Sequence, residues 1–165
     1  MRLHVQWLKG SPPWVLGLPW LGLLWLLGAI CDRLWFTLDR RVPAWDQAEY
    51  LTGSLNYWWA LQSPQWLSGD WWTELWQLSA KIPPLVYLVT TPFLSLFGPG
   101  PDQSTLVNLL FSAILLGAVY ALGTCLFSVS VGLLAAGLCL LLPALYQARL
   151  DFLLDYPLAA MVTLC

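Results

Sequence analysis

The charged side chains of this protein leave two long gaps, and those gaps limit the fold more than any motif does. No Lys, Arg, Asp or Glu lies between Lys9 and Asp32, and none lies between Asp102 and Arg149. A helix crossing about 30 Å of hydrocarbon needs roughly 20 apolar residues, so the first gap holds one span and the second holds two. Composition agrees: the 165 residues are 59% hydrophobic and 10% charged, with a mean hydropathy of +0.67, whereas a soluble domain carries about 25% charge. The expected fold class is therefore all-α, with polytopic membrane helices. A net charge of -2 gives no basic surface for nucleic acid. Cys31, Cys125, Cys139 and Cys165 show no CxxC or Cys/His spacing, so neither a metal site nor a disulfide framework is read from them.

Spans are expected at about 14–31, 104–127 and 131–148. A fourth begins near Pro157 and stops at Cys165, too short to cross, so the chain reads as one transmembrane domain incomplete at its C-terminus. Pro19 inside the first span is tolerable where neighbouring helices satisfy the freed carbonyl. Arg2 and Lys9 before an apolar run also fit a secretory leader, but the run from Trp14 to Ile30 is longer than a usual leader core and no A-x-A site follows.

Most of the charges fall between Asp32 and Asp102, in a long external loop over residues 32–103. The same loop holds Trp35, Trp45, Trp58, Trp59, Trp66, Trp71, Trp72 and Trp76, and tryptophan prefers the headgroup level of a bilayer. From Asp46 to Gln62, Ala48, Leu51, Leu55, Trp58 and Trp59 recur at helical spacing, while Asp46, Glu49, Tyr50 and Gly53 share another face. That pattern predicts an interfacial, juxtamembrane helix. A break at 65–69 precedes a second short aromatic helix from Asp70 to Ser79. Ile82 to Phe97 is apolar but short and contains Pro83, Pro84 and Pro92. Gly98-Pro99-Gly100-Pro101 reads as a turn, and Ser128-Val129-Ser130 as the tight link between the second and third spans.

Two acidic sites border spans: Asp46, and the pair Asp151 and Asp155. Ionisable groups in such places are functional candidates. Each also has a plain alternative. Asp46 followed by Glu49 fits a capping-box-like helix start, and Asp155 before Tyr156-Pro157 fits an N-cap with proline in the first turn. The residues alone leave both readings open. A transporter or channel subunit would use the same carboxylates as substrate or proton sites, and it predicts polar groups on the spans themselves. The second and third spans hold only Ser, Thr, Asn and Gln, Asn108 among them. An inactive membrane fragment is a further reading.

Four segments, taken in order, carry a resemblance: Val42-Pro43-Ala44-Trp45-Asp46-Gln47-Ala48-Glu49-Tyr50; Leu67-Ser68-Gly69-Asp70-Trp71; Lys81-Ile82-Pro83-Pro84 through Leu96-Phe97-Gly98; and Leu150 through Asp155-Tyr156-Pro157-Leu158. In this order and spacing the chain resembles the N-terminal portion of the GT-C superfamily of lipid-carrier-dependent glycosyltransferases, the group that holds protein O-mannosyltransferases and lipid A aminoarabinose transferases. The resemblance implies sugar transfer from a polyprenyl-phosphate donor to a lipid, glycan or protein acceptor, with inversion, at the external face of a bacterial plasma (inner) membrane. It implies that Asp46 and Asp155 are the catalytic carboxylates. Many members carry a second acidic residue directly after the first, where this chain has Gln47; Glu49 is the nearest substitute. Lys81 matches a lysine that meets the lipid phosphate, with Arg149 as a second candidate. An interfacial lysine whose stem snorkels from a proline-broken helix is the plain alternative for Lys81. Glu49, Tyr50 and Asp151 are the expected substrate contacts. Relatives differ in metal dependence, so no divalent metal or other cofactor is assigned.

Counting crossings makes the resemblance testable, because carboxylates serving one site must lie on one side of the membrane. If 82–97 crossed, Asp46 and Asp155 would end on opposite sides. Its length and prolines predict that it does not cross, and that Asp46, Lys81 and Asp155 face one cavity. Charge does not set the orientation, since Arg2 and Lys9 precede the first span while Arg33, Arg40 and Arg41 follow it. A cytoplasmic N-terminus is implied by the resemblance alone.

Overall fold

Helix α1, Pro13–Leu38, starts with proline at its first position, where the missing N–H would be unpaired in any case. A computed structural model describes residues 12–79 and 81–165; Arg2 and Lys9, and the leader reading with them, lie outside the described residues. α1 continues past residue 31 to Leu38 and carries Asp32 and Arg33 within it. The helix does not stop at these charges because both find partners. Arg33 Nη1 donates to the Asp102 carbonyl at 3.2 Å and Nη2 donates to Thr105 Oγ1 at 3.1 Å, while Asp32 meets Arg149.

Connections along α1 fix the direction of its neighbour, α6 (Val107–Leu126). The Tyr120 hydroxyl donates to the Trp14 carbonyl at 2.6 Å, and Trp25 Nε1 donates to the Leu109 carbonyl at 2.9 Å. With Arg33 on Thr105, the pairs descend in order, so the two helices are antiparallel. The chain then turns at Ser128, whose side chain accepts from the Val131 N–H at 3.3 Å, and returns as α7, Val129–Leu141. α6 and α7 cross closely: a Cβ on Gly123 would stand 2.7 Å from Gly132 Cα. Small residues permit such contact between helices in lipid, where packing rather than water exclusion drives association.

The expected third span, 131–148, is a bent pair. Leu142 is extended at φ -64 and ψ 118, as the residue before a proline prefers, and α8 (Pro143–Leu150) leaves at 60° to α7. α9, Asp155–Leu164, lies along α6. Val107, Phe111 and Leu115 from α6 and Phe152, Tyr156 and Ala160 from the α9 side form one buried cluster.

Among the described residues, every regular element is a helix. Trp14–Leu38 and Pro101–Leu126 are long and apolar enough to cross a membrane, and the bent pair makes a third if it counts as one span. That is the build of a membrane protein. Most of α1 is uncovered by the rest of the chain, with Leu16, Trp20, Leu27 and Leu34 exposed.

Between α1 and α6 lie α2 (Trp45–Ala60), α3 (Gly69–Gln77), α4 (Leu85–Phe97) and the single turn α5 (Pro101–Ser104). α4 measures about 20 Å at 1.5 Å per residue, short of the roughly 30 Å hydrocarbon core. It packs on α2. Trp58 Nε1 donates to Ser95 Oγ at 3.1 Å, and the rings of Tyr57 and Tyr87 stack with centroids 5.6 Å apart. α3 adds Trp71 and Leu75 to the same cluster, while Trp66 and Trp76 remain exposed. The buried stripe of α2 is Leu51, Ser54 and Tyr57. Trp59, expected on the apolar face with Leu51, is exposed, because α4 covers a different side of the helix.

Candidate functional site

The N-terminal half of α2 stands between two cavities. One, of about 550 Å³, has walls from the end of α1 (Phe36, Asp39, Arg41), the start of α2 (Trp45, Asp46, Gln47), α5 (Asp102, Gln103) with Thr105, and the α8–α9 link (Leu150, Asp151, Leu153). Another, of about 470 Å³, lies between α2 (Glu49, Thr52, Gly53) and the segment holding Ser79, Lys81, Ile82 and Tyr87. Asp46 lines the first cavity and Glu49 the second.

Neither candidate carboxylate caps its helix. The N-cap of α2 is Ala44 and that of α9 is Leu154, each without a side-chain capping bond. Asp46 and Asp155 therefore lie inside the first turns, where the helix dipole favours negative charge, and both are exposed. The capping alternative for each is thus set aside by the geometry.

Tyr50 ties the group together electrostatically. Its phenol is pushed above its ordinary value, first by burial, then by the negative charges of Asp46, Asp155 and Glu49, with Lys81 acting in the opposite sense. The single cavity expected to hold Asp46, Lys81 and Asp155 does not form: Asp46 lines the first cavity, Lys81 the second and Asp155 neither, because α2 stands between the two openings. Lys81 Nζ lies 3.5 Å from Glu49 Oε1, with Lys81 largely exposed; a pair so open to solvent contributes little stability and leaves the ammonium available.

Asp151 lines the Asp46 cavity with Arg41, whose Nη2 is 3.9 Å from Asp151 Oδ1. Arg41 is held chiefly by Asp39, through its own N–H at 3.1 Å and its guanidinium at 3.0 Å. Those hydrogen bonds, from the side chain first, keep the Asp39 carboxyl below its ordinary value. Arg149 does not join the Lys81 group. It is 3% exposed and paired with Asp32, Nη2 donating to Oδ1 at 2.9 Å and Nε lying 2.8 Å from Oδ2.

Backbone strain falls beside two of the carboxylates. Among the described residues, the non-glycine positions with positive φ are Trp45, at 53°, next to Asp46, and Phe152, at 51°, next to Asp151. A bulky side chain in this left-handed region costs on the order of 1–3 kcal/mol and persists only where its surroundings impose it. Phe152 is 1% exposed, so packing holds it there.

Asp39, Arg41 and Asp102 were not singled out by the sequence as site residues; their only signal was membership of the charged segment between the first two gaps. Among the described residues, no group of three or more His, Cys, Asp or Glu side chains is arranged to hold a metal ion. Comparison with known proteins gives no matching family model, no matching curated protein and no matching solved structure.

Proposed function

We propose that this chain carries the reactive face of a GT-C-type glycosyltransferase, moving a sugar from a polyprenyl-phosphate donor to a hydroxyl or amine of a lipid, glycan or protein acceptor. The observation that carries this reading is the placement of Asp46 with Asp151 on one cavity and of Glu49 with Lys81 on the other, either side of the start of α2. The sequence resemblance gives those residues their roles. In this reading Asp46 takes the acceptor's proton. The freed lone pair forms the new bond at the anomeric carbon, inverting it, while the bond to the carrier breaks and its electron pair leaves on the phosphate. Lys81 meets that growing charge, released from its loose contact with Glu49. The acceptor occupies the Asp46 cavity beside Asp151, and Glu49, Tyr50 and Asp155 hold the sugar.

The same proposal sets the chain in its membrane. Residues 39–104 lie at the external face of a bacterial plasma membrane, α4 does not cross, and exposed Trp45, Trp59, Trp66 and Trp76 seat α2 and α3 at the headgroups, where the carrier enters from the side. Membranes holding the protein, given labelled polyprenyl-phosphate sugars, test the chemistry. Asp46→Asn should lower transfer at least about 100-fold, and Asp70→Asn should not. Transfer that survives Asp46→Asn would sink the proposal.

One observation favours a transporter instead: the buried pair of Asp32 and Arg149 among the helices, since charges in such places often line pathways. Solute flux in proteoliposomes that is lost in Asp32→Asn, without any sugar transfer by the unmodified protein, would decide for it.

A further inference from the structure

Two consecutive residues of α1 reach in different directions. Asp32 holds Arg149 at the end of α8, and Arg33 holds the Asp102 carbonyl and Thr105 at the head of α6. A third contact closes the triangle, for Asn108 Nδ2 donates to the Arg149 carbonyl at 2.7 Å. The walls of the Asp46 cavity begin where these ties end. Phe36 and Asp39 follow the clamp on α1, Asp102 and Thr105 are its contacts, and Leu150 and Asp151 come directly after Arg149.

Stability does not account for the ion pair. Desolvating two charges offsets most of their attraction, and apolar replacements of a buried pair are often neutral or stabilising. This pair is also incompletely satisfied. Arg149 Nη1 is buried without a partner, and Nε, though close to Asp32 Oδ2, lies outside hydrogen-bond geometry. What the pair supplies is a fixed relation between α1 and the link that carries Asp151.

We infer that Asp32, Arg33 and Arg149 are positioning residues that hold three walls of the Asp46 cavity in register, so that Asp46 and Asp151 address the same acceptor. The acceptor's part in this rests on the transferase reading; the clamp itself does not. The test removes both charges at once, in Asp32→Leu/Arg149→Met, so that neither is left buried alone. In a background lacking the four cysteines, spin labels at exposed Leu38 and Leu158 report the distance between α1 and α9.

The expected result is an unchanged or raised melting temperature, a broadened distance distribution, and a rise of at least tenfold in acceptor KM with donor KM unchanged. Asp32→Glu alone, which leaves Arg149 a carboxylate partner, should keep the narrow distribution. Arg33→Gln, which leaves the ion pair intact, should loosen the α1–α5 contact, read from labels at Leu38 and at exposed Asp102, whose carbonyl and not its side chain meets Arg33. An unchanged distribution, or loss of folding in the double variant, overturns the inference. If the unmodified protein transfers no sugar, the transferase reading fails while the distances still judge the clamp.

Discussion

Replacing Gly53 with alanine sets two effects of known size against each other. Alanine is favoured over glycine inside a helix by about 1 kcal/mol. The added Cβ, however, would stand 2.8 Å from Tyr87 Cζ and 3.1 Å from both Cε atoms, against an ordinary carbon contact of about 3.5–4.0 Å. Tyr87 is 2% exposed and stacked on Tyr57, so a shift of its ring breaks that stacking. Overpacking of this kind costs about 1–3 kcal/mol, and the lost stacking places it toward the upper part of that range. The net expectation is a loss of about 1–2 kcal/mol, or roughly 3–6 °C in melting temperature for a chain of this size. Tryptophan fluorescence on heating in detergent reads it directly. Gly117→Ala in α6, where nothing lies within 4 Å of the new Cβ, should raise the melting temperature instead. In a Tyr87→Leu background, Gly53→Ala should change sign and stabilise. If Gly53→Ala in the unmodified protein stabilises as Gly117→Ala does, the close packing of α4 on α2 is refuted.

Cysteines placed at Lys81 and Asp102 in a cysteine-free background should react with an impermeant reagent from the same side of the membrane; labelling from opposite sides would make α4 a crossing helix. Burial raises the Tyr87 phenol to about 12 from the ordinary 10. The unfolded chain therefore releases this proton first, so stability is intact below pH 10 and is lost as pH rises toward 12, by up to about 1.4 kcal/mol per pH unit. Tyr87→Phe should flatten that part of a melting-temperature profile, and an equally steep profile in the variant would refute the assignment.

The long apolar helices were legible because hydrocarbon tolerates no unpaired charge, and the two gaps in charge mark them directly. The end of α1 was not. Asp32 reads as the edge of a span, since its partner Arg149 stands 117 residues away and no local pattern announces it. Pro143 was visible, yet whether a proline kinks a helix or breaks it depends on what its neighbours satisfy. Spacing alone did not divide the apolar face of α2, because Trp59 is equally apolar whether it meets protein or lipid. The helix that carries Asp46, Glu49 and Tyr50 was legible from spacing. A single cavity for Asp46, Lys81 and Asp155 was expected from resemblance and crossing count, and the structure sets Asp46 and Lys81 on different cavities; the strain at Trp45 and Phe152 left no trace in residue type.

The bend at Pro143 decides where the chain delivers its acids. Eight residues of α8 are about 12 Å long, so a 60° turn displaces their far end sideways by roughly 10 Å. A straight continuation of α7 would carry Asp151 away along the helix axis. The corner works as a bracket instead: it converts length into reach, and sets a carboxylate across an opening that its own helix would otherwise have passed by.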